Sequence, residues 1–122
     1  SLRAASRGSS ITTSGKKGAT VSYGVLQATT TTFTVQKAIR GYLRQGTCVA
    51  TRPAGSSSVK RCMFYKSVGT FQHVDVAGRN RFHFTGRIKG RMLKVGVYRL
   101  QAIPSFAGYS GAASRVAFTV IR

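Results

Sequence analysis

The sequence predicts an all-β protein, and three observations support that prediction. Apolar and polar residues alternate over short runs such as Val21–Val25 and Arg81–Arg87, which is the period of a strand with one buried face. Gly, Pro, Ser and Asn interrupt these runs about every eight to twelve residues. No segment keeps a helical period over about ten residues. Together these features predict one immunoglobulin-like sandwich of about seven strands.

The individual strands follow from residue type and alternation. A Thr-rich run at 28–39 places Phe33 and Val35 on one face, and branched and aromatic side chains suit the pleated surface of a strand. Phe82 and Phe84 also share a face, which we assign to the core; base stacking is the alternative use. Further strands are expected at Thr47–Val49, Val59–Val68, Phe71–Val76, Val97–Ile103 and Arg115–Ile121, the last with Val116, Phe118 and Val120 inward.

The first eighteen residues differ in composition from the rest. They are rich in Ser, Gly and cations, with Leu2 and Ile11 as their large apolar residues. We therefore expect residues 1–18 to form a basic arm or linker and residues 19–122 to form the sandwich domain. Leu2 and Ile11 are candidate interface residues through which the arm adds to a neighbour's sheet edge. A free tail on a monomer is the alternative.

The two cysteines, Cys48 and Cys62, predict a disulfide. The chain has no CxxC motif and no His near either cysteine, so a zinc site is not expected. Turn-forming residues at Pro53–Ser58 separate the two, so we expect the bridge to join the arms of one hairpin. Such a bridge indicates an oxidising, extracellular location. Two free thiols in a reducing compartment are the alternative. We expect no metal and no cofactor.

Charge restricts the possible functions most strongly. Twenty Lys and Arg face a single acidic residue, Asp75, and the formal net charge is +19. Paired-carboxylate catalysis is therefore excluded. His73 lies two residues before Asp75, but no GxSxG motif accompanies them, and we predict that the chain is not an enzyme. No stretch reaches the roughly eighteen apolar residues of a transmembrane helix.

A chain with this charge must either tolerate repulsion between its own cations or bind an anionic partner. The cations are scattered, with only pairs such as Lys16-Lys17, whereas nucleic-acid tails carry longer blocks. The segment GRIKGR at 86–91 lacks both the Walker and the dinucleotide pattern. Its four candidate polyanion contacts are Arg87, Lys89, Arg91 and Lys94; a plain basic hairpin is the alternative. Acidic polysaccharide or a teichoic-type polymer is the expected ligand, and nucleic acid is expected to bind only non-specifically.

A loop at Pro104–Gly111 carries two aromatic residues of types enriched at interfaces, Phe106 and Tyr109. We take them, together with Leu2 and Ile11, as candidate contacts with other copies of the chain or with neighbouring domains. An open sheet edge would favour such contacts, and repulsion between copies at +19 would oppose them.

Several longer motifs cover the chain beyond residue 20: VSYGVLQATTTTFTVQKA, then GTC and RC around the cysteines, AGRNRFHFTGRIKGRMLKVGVYRLQA, and SRVAFTV. In these motifs the chain resembles immunoglobulin-like or fibronectin-III-like modules of actinobacterial envelope and secreted proteins. Val95 departs from the Pro often found there. IPSFAGYSGAAS replaces a turn that is often acidic, which removes any cation site.

This resemblance implies a role in architecture, spacing or adhesion. We therefore expect a non-enzymatic extracellular module of a cell-surface protein or surface filament, which self-associates or binds acidic polymers. A basic nucleic-acid-binding protein is the alternative function.

Overall fold

The computed structural model describes residues 1–52 and 59–122, and every regular element in these ranges is a β-strand. No helix able to span a membrane occurs in the described ranges. Seven of the twelve described strands have three or more residues, which confirms the predicted all-β sandwich. The strands are β1 (Leu2–Arg3), β2 (Ile11–Thr12), β3 (Ala19–Val25), β4 (Thr30–Arg44), β5 (Thr47–Val49), β6 (Arg61–Val74), β7 (Gly78–Phe84), β8 (Arg87–Ile88), β9 (Arg91–Met92), β10 (Gly96–Phe106), β11 (Tyr109–Ser110) and β12 (Ser114–Ile121).

The strands form one large sheet, one small sheet and a separate ribbon. The large sheet has the order β1-β12-β10-β4-β5, with β6 also paired to β4 and β11 to β10. The small sheet has the order β2-β7-β3, and β8 pairs with β9. β1 runs parallel to β12, whereas the other ladders are antiparallel.

The core lies between the large and small sheets and is rich in aromatic rings. Phe33 from β4 meets Phe82 from β7 edge to face, with ring centroids 5.0 Å apart. Phe84 stacks on Phe71 of β6 at 5.3 Å. Both Phe82 and Phe84 are buried, as the alternation in the sequence predicts. Other buried members are Val35, Tyr98, Leu100 and Val120.

One residue expected in the core is exposed. Val116 on β12 is 61% exposed, although it lies opposite the buried Leu100. β1 pairs with Val120 and Ile121 of β12, so among the described strands β12 forms the sheet edge at Val116. The small sheet has fewer strands than the large one and leaves this edge uncovered.

The segment 1–18, whose composition predicts a basic arm or linker, is packed against the sandwich. Leu2 is 5% exposed and belongs to the core, so it cannot also be a contact for a partner. Ile11 is half-buried and packs against the same core. The amide of Ala5 donates to the carbonyl of Thr85, at 2.8 Å. The segment is ordered by such backbone pairing, which polar composition does not reveal.

Gly18 is required where this segment returns to the small sheet. Its φ is +94°, and a Cβ there would lie 2.0 Å from the carbonyl oxygen of Phe84. A larger residue would therefore push the segment away from β7.

The disulfide between Cys48 and Cys62 is present, with a Cα–Cα distance of 5.9 Å. Its strands do not pair with each other as arms of a simple hairpin. Cys48 on β5 is opposite Leu43, and Cys62 on β6 is opposite Gly41, so both strands pair with β4. A Cβ on Gly41 would lie 3.0 Å from the Cys48 Sγ, so the bridge packs against bare backbone. The predicted turn at Pro53–Ser58 lies outside the described residues.

We predict that replacing both cysteines with serine destabilises the fold by about 3 kcal/mol, because the unfolded chain gains the entropy of an open loop. The melting temperature should fall by roughly 10 °C, measured by calorimetry on variants expressed in an oxidising compartment. In the unmodified protein, alkylation before reduction should add no mass. Equal melting temperatures for the two proteins would contradict the stabilising role of the bridge.

Candidate functional site

The β8–β9 ribbon closes one end of the sandwich and forms a concave surface with β4 and β10. Ile88 of the ribbon and Leu93, the residue after it, are buried and face the core. The Ile88 side chain fills the space above Gly69, where an added Cβ would meet it at 2.4 Å. We call this surface the cationic depression. Its volume is about 530 Å³, and it is lined by Lys37, Val68, Ile88, Lys89, Arg91, Met92, Leu93, Lys94 and Tyr98.

The turn between β8 and β9 has a defined backbone. Lys89 has φ of 53° and Gly90 has φ of 73°, and two successive positive φ values are characteristic of a type I′ hairpin turn. The amide of Leu93 donates to the carbonyl of Gly86 at 2.9 Å and closes the base of the ribbon. The exposed Lys89 and Arg91 therefore project from a fixed scaffold.

The cations of this depression have no acidic neighbour. Lys37 is directly opposite Lys66 across the β4–β6 ladder, and like charges in that position repel. Asp75 is bonded to Thr31, which lies six residues before Lys37 on the same strand, or ~20 Å away at the rise of a strand. The positive potential at this end is thus uncompensated by any side chain of the chain itself.

Three of the four predicted polyanion contacts, Lys89, Arg91 and Lys94, line the depression. Arg87, the fourth, is instead bonded to backbone. Its guanidinium donates to the carbonyls of Gly8, Ala5 and Gly90 at 2.9, 3.3 and 2.6 Å. Arg87 therefore fastens the segment 1–18 to the ribbon.

Lys37 was missed by reasoning from the ribbon motif alone. The alternation of β4 puts it on the same face as Phe33 and Val35, where a charge is unusual. A lysine at a core-facing position near the end of a sandwich is the signal that could have identified it.

A second polar cluster surrounds Asp75, the one acidic side chain. Asp75 is 3% exposed. One carboxylate oxygen accepts from the Tyr23 hydroxyl and lies 2.8 Å from His73 Nδ1. The other accepts from the hydroxyls of Thr29 and Thr31 at 2.6 and 2.5 Å. We call these five residues the Asp75 clasp, since Tyr23 belongs to the small sheet and Thr31 to the large one.

The hydrogen bonds of the Asp75 clasp are of the kind that stabilises a fold. Burial tends to raise the pKa of Asp75, but hydrogen bonds from His73, Thr29, Thr31 and Tyr23 outweigh it and hold the pKa below its usual value. Burial and the neighbouring carboxylate raise the pKa of Tyr23. Each hydroxyl of the clasp donates to Asp75. Within residues 1–52 and 59–122 no group of three or more His, Cys, Asp or Glu is arranged to hold a metal.

The opposite end of the sandwich carries an apolar groove. The predicted interface residues Phe106 and Tyr109 are 51% and 81% exposed and lie opposite each other across the β10–β11 hairpin. Leu26, from the β3–β4 connection, is fully exposed. The groove has a volume of about 490 Å³ and is lined by Gly24, Val25, Leu26, Gln27, Thr29, Pro104, Ser105, Phe106, Tyr109, Ser110 and Gly111.

Comparison with models of known protein families, with curated protein sequences and with solved structures found no match.

We predict that Asp75→Asn lowers the free energy of unfolding by roughly 2 kcal/mol or more at pH 7, because four donors lose a charged acceptor. A carboxyl whose folded pKa is depressed contributes stability above its unfolded pKa, and that contribution disappears as pH falls through the folded value. The free energy of unfolding of the unmodified chain, measured with urea, should therefore decrease as the pH falls below 3.8, the ordinary pKa of this carboxyl.

The free energy of unfolding of Asp75→Asn should be nearly constant over the same acidic range, since no other acidic side chain exists in the sequence. Thr20→Ala, at an exposed position on β3, is the control and should follow the unmodified profile. An acid dependence that persists in Asp75→Asn would show that the clasp is not its source.

Proposed function

We propose that this chain is a non-enzymatic extracellular module of a cell-surface protein or surface filament, and that it binds acidic polymers through the cationic depression. The observation that carries the proposal is the convergence of Lys37, Lys89, Arg91 and Lys94 on one concave surface. The only acidic side chain is buried in the Asp75 clasp.

The depression suits a flexible polyanion better than a small anion. Lys89, Arg91 and Lys94 are exposed and Lys37 is half-buried. The four cations lie around an apolar floor that includes Ile88 and Leu93. Lys66 stands beside Lys37 and extends the positive surface along β6. A polymer with a repeated phosphate or carboxylate can neutralise several of these charges at once and release their counterions.

The extracellular assignment is supported by the Cys48–Cys62 disulfide, since such bridges persist mainly in oxidising compartments. The resemblance to actinobacterial envelope modules supports the same assignment and suggests an architectural role. Teichoic-type polymers and acidic polysaccharides are the acidic polymers that such a location offers.

A basic nucleic-acid-binding protein remains the second candidate, because the same cations suit a phosphate backbone. Phe82 and Phe84 are buried, which leaves these rings unable to stack on bases. This argues for backbone contacts, without sequence preference.

We expect Lys89→Gln/Arg91→Gln/Lys94→Gln to weaken binding to teichoic acid and to acidic polysaccharide. A polymer that contacts one cation fewer releases about one counterion fewer on binding. The slope of log K against log salt should therefore become less steep by up to about 3. Fluorescence titrations with labelled polymer at several salt concentrations measure this slope.

The matched control is Arg7→Gln/Lys16→Gln/Arg79→Gln, which removes the same charge from exposed positions outside the depression. Equal losses in both triple variants would mean that net charge, and not the depression, governs binding. A preference for one DNA sequence that survives high salt would favour the nucleic-acid alternative.

A further inference from the structure

We propose that the apolar groove at the end opposite the cationic depression binds an uncharged saccharide. This inference is independent of polyanion binding, because the two surfaces share no lining residue. It rests on the absence of charge among the described residues that line the groove, on a cross-strand pair of exposed aromatic rings, and on the polar groups placed beside those rings.

The groove is built from the parts of the sequence that avoid cations. The two longest stretches without Lys or Arg are residues 18–36 and 100–114. The β3–β4 connection and the β10–β11 hairpin come from these stretches and meet at the groove. In a chain with twenty cations, a surface with none among its described lining residues is complementary to a ligand without negative charge.

The backbone that carries the two aromatic side chains of the groove has a defined turn. Ala107 and Gly108 have φ of 50° and 83°, which again indicates a type I′ turn. Phe106 and Tyr109 flank this turn as a cross-strand pair. The amide of Gly111 donates to the carbonyl of Pro104 at 2.7 Å and closes the hairpin. The backbone therefore needs no reordering before a ligand stacks on the rings, which lowers the entropic cost of binding.

The remaining lining provides the hydrogen bonds that sugar hydroxyls require. Gln27 contributes an amide, and Tyr109 and Ser110 contribute hydroxyls, so donors and acceptors border the ring faces. The C–H faces of a pyranose pack against aromatic rings while its hydroxyls reach polar groups at the rim. The volume of about 490 Å³ lies within the range of small-ligand sites.

A second copy of the chain fits this surface less well. Each copy carries a charge of +19, and repulsion between copies acts over a screening length of about 8 Å at physiological salt. A neutral saccharide meets no such opposition. Polar residues such as Gln27 and Ser110 in the groove also favour a hydroxylated ligand over a purely apolar peptide.

The experiment is an NMR titration of the ¹⁵N-labelled full chain with four neutral hexasaccharides: cellohexaose, maltohexaose, chitohexaose and mannohexaose. We expect at least one of them to shift the amides of Leu26, Gln27, Phe106 and Tyr109, with the same Kd at low and high salt. Tyr109→Ala should weaken that binding at least about tenfold, or ~1.4 kcal/mol.

Tyr42→Ala is the matched control, since Tyr42 lies on β4 near the disulfide, outside the groove, and it should bind with unchanged affinity. The triple variant of the cationic depression should also bind the saccharide normally, which separates this proposal from the previous one. Because Tyr109 is 81% exposed, Tyr109→Ala should have the same melting temperature as the unmodified chain, which checks that any loss of binding is not a loss of folding.

Three outcomes would overturn the proposal. The first is that none of the four saccharides shifts the groove amides, and the second is that Tyr109→Ala binds as well as the unmodified chain. The third is a concentration-dependent dimer, seen by sedimentation and abolished by Tyr109→Ala, which would assign the groove to a second copy.

Discussion

The structure depends on how it uses its single acidic side chain. Asp75 is buried and accepts bonds from Tyr23, Thr29, Thr31 and His73, and its ion-pair partner in the described part of the chain is His73. A buried carboxylate is costly unless its oxygens are hydrogen-bonded, and here both oxygens are. The small and large sheets are joined by this bonding as well as by apolar packing.

Because Asp75 is withdrawn from the surface, the distribution of cations alone determines the surface potential. The β8–β9 ribbon gathers Lys89, Arg91 and Lys94 at one end. At the other end, the described residues that line the groove around Phe106 and Tyr109 are all uncharged. The two ends therefore differ in surface chemistry, and the two ligands proposed above would not compete for the same residues.

Period-two alternation is sufficient to predict strands whose core face is apolar, such as those with Phe33 and Val35 or Phe82 and Phe84. With two cysteines, the pairing of Cys48 with Cys62 was also predictable. The exposure of Phe106 and Tyr109 was also predictable, because a Gly-rich turn carries both rings at the surface.

Local sequence patterns could not predict contacts between distant parts of the chain. Leu2 is buried because β1 pairs with β12, more than a hundred residues later. Arg87 is engaged because the carbonyls of Ala5 and Gly8 are brought to it by the same packing. Lys37 joins the cationic depression because the middle of β4 lies beside the β8–β9 ribbon, a relation that only tertiary structure defines.

The parallel pairing of β1 with β12 has a mechanical consequence. Leu2 pairs with Val120 and Arg3 with Ile121, and the Arg3 side chain donates to the carbonyl of Arg122 at 2.6 Å. When Ser1 and Arg122 are pulled apart along the strand direction, the two strands must slide past each other. The hydrogen bonds between β1 and β12 then carry the load together, in shear. The force that this pairing withstands depends on the rate at which the bonds break, and not on the equilibrium free energy of unfolding.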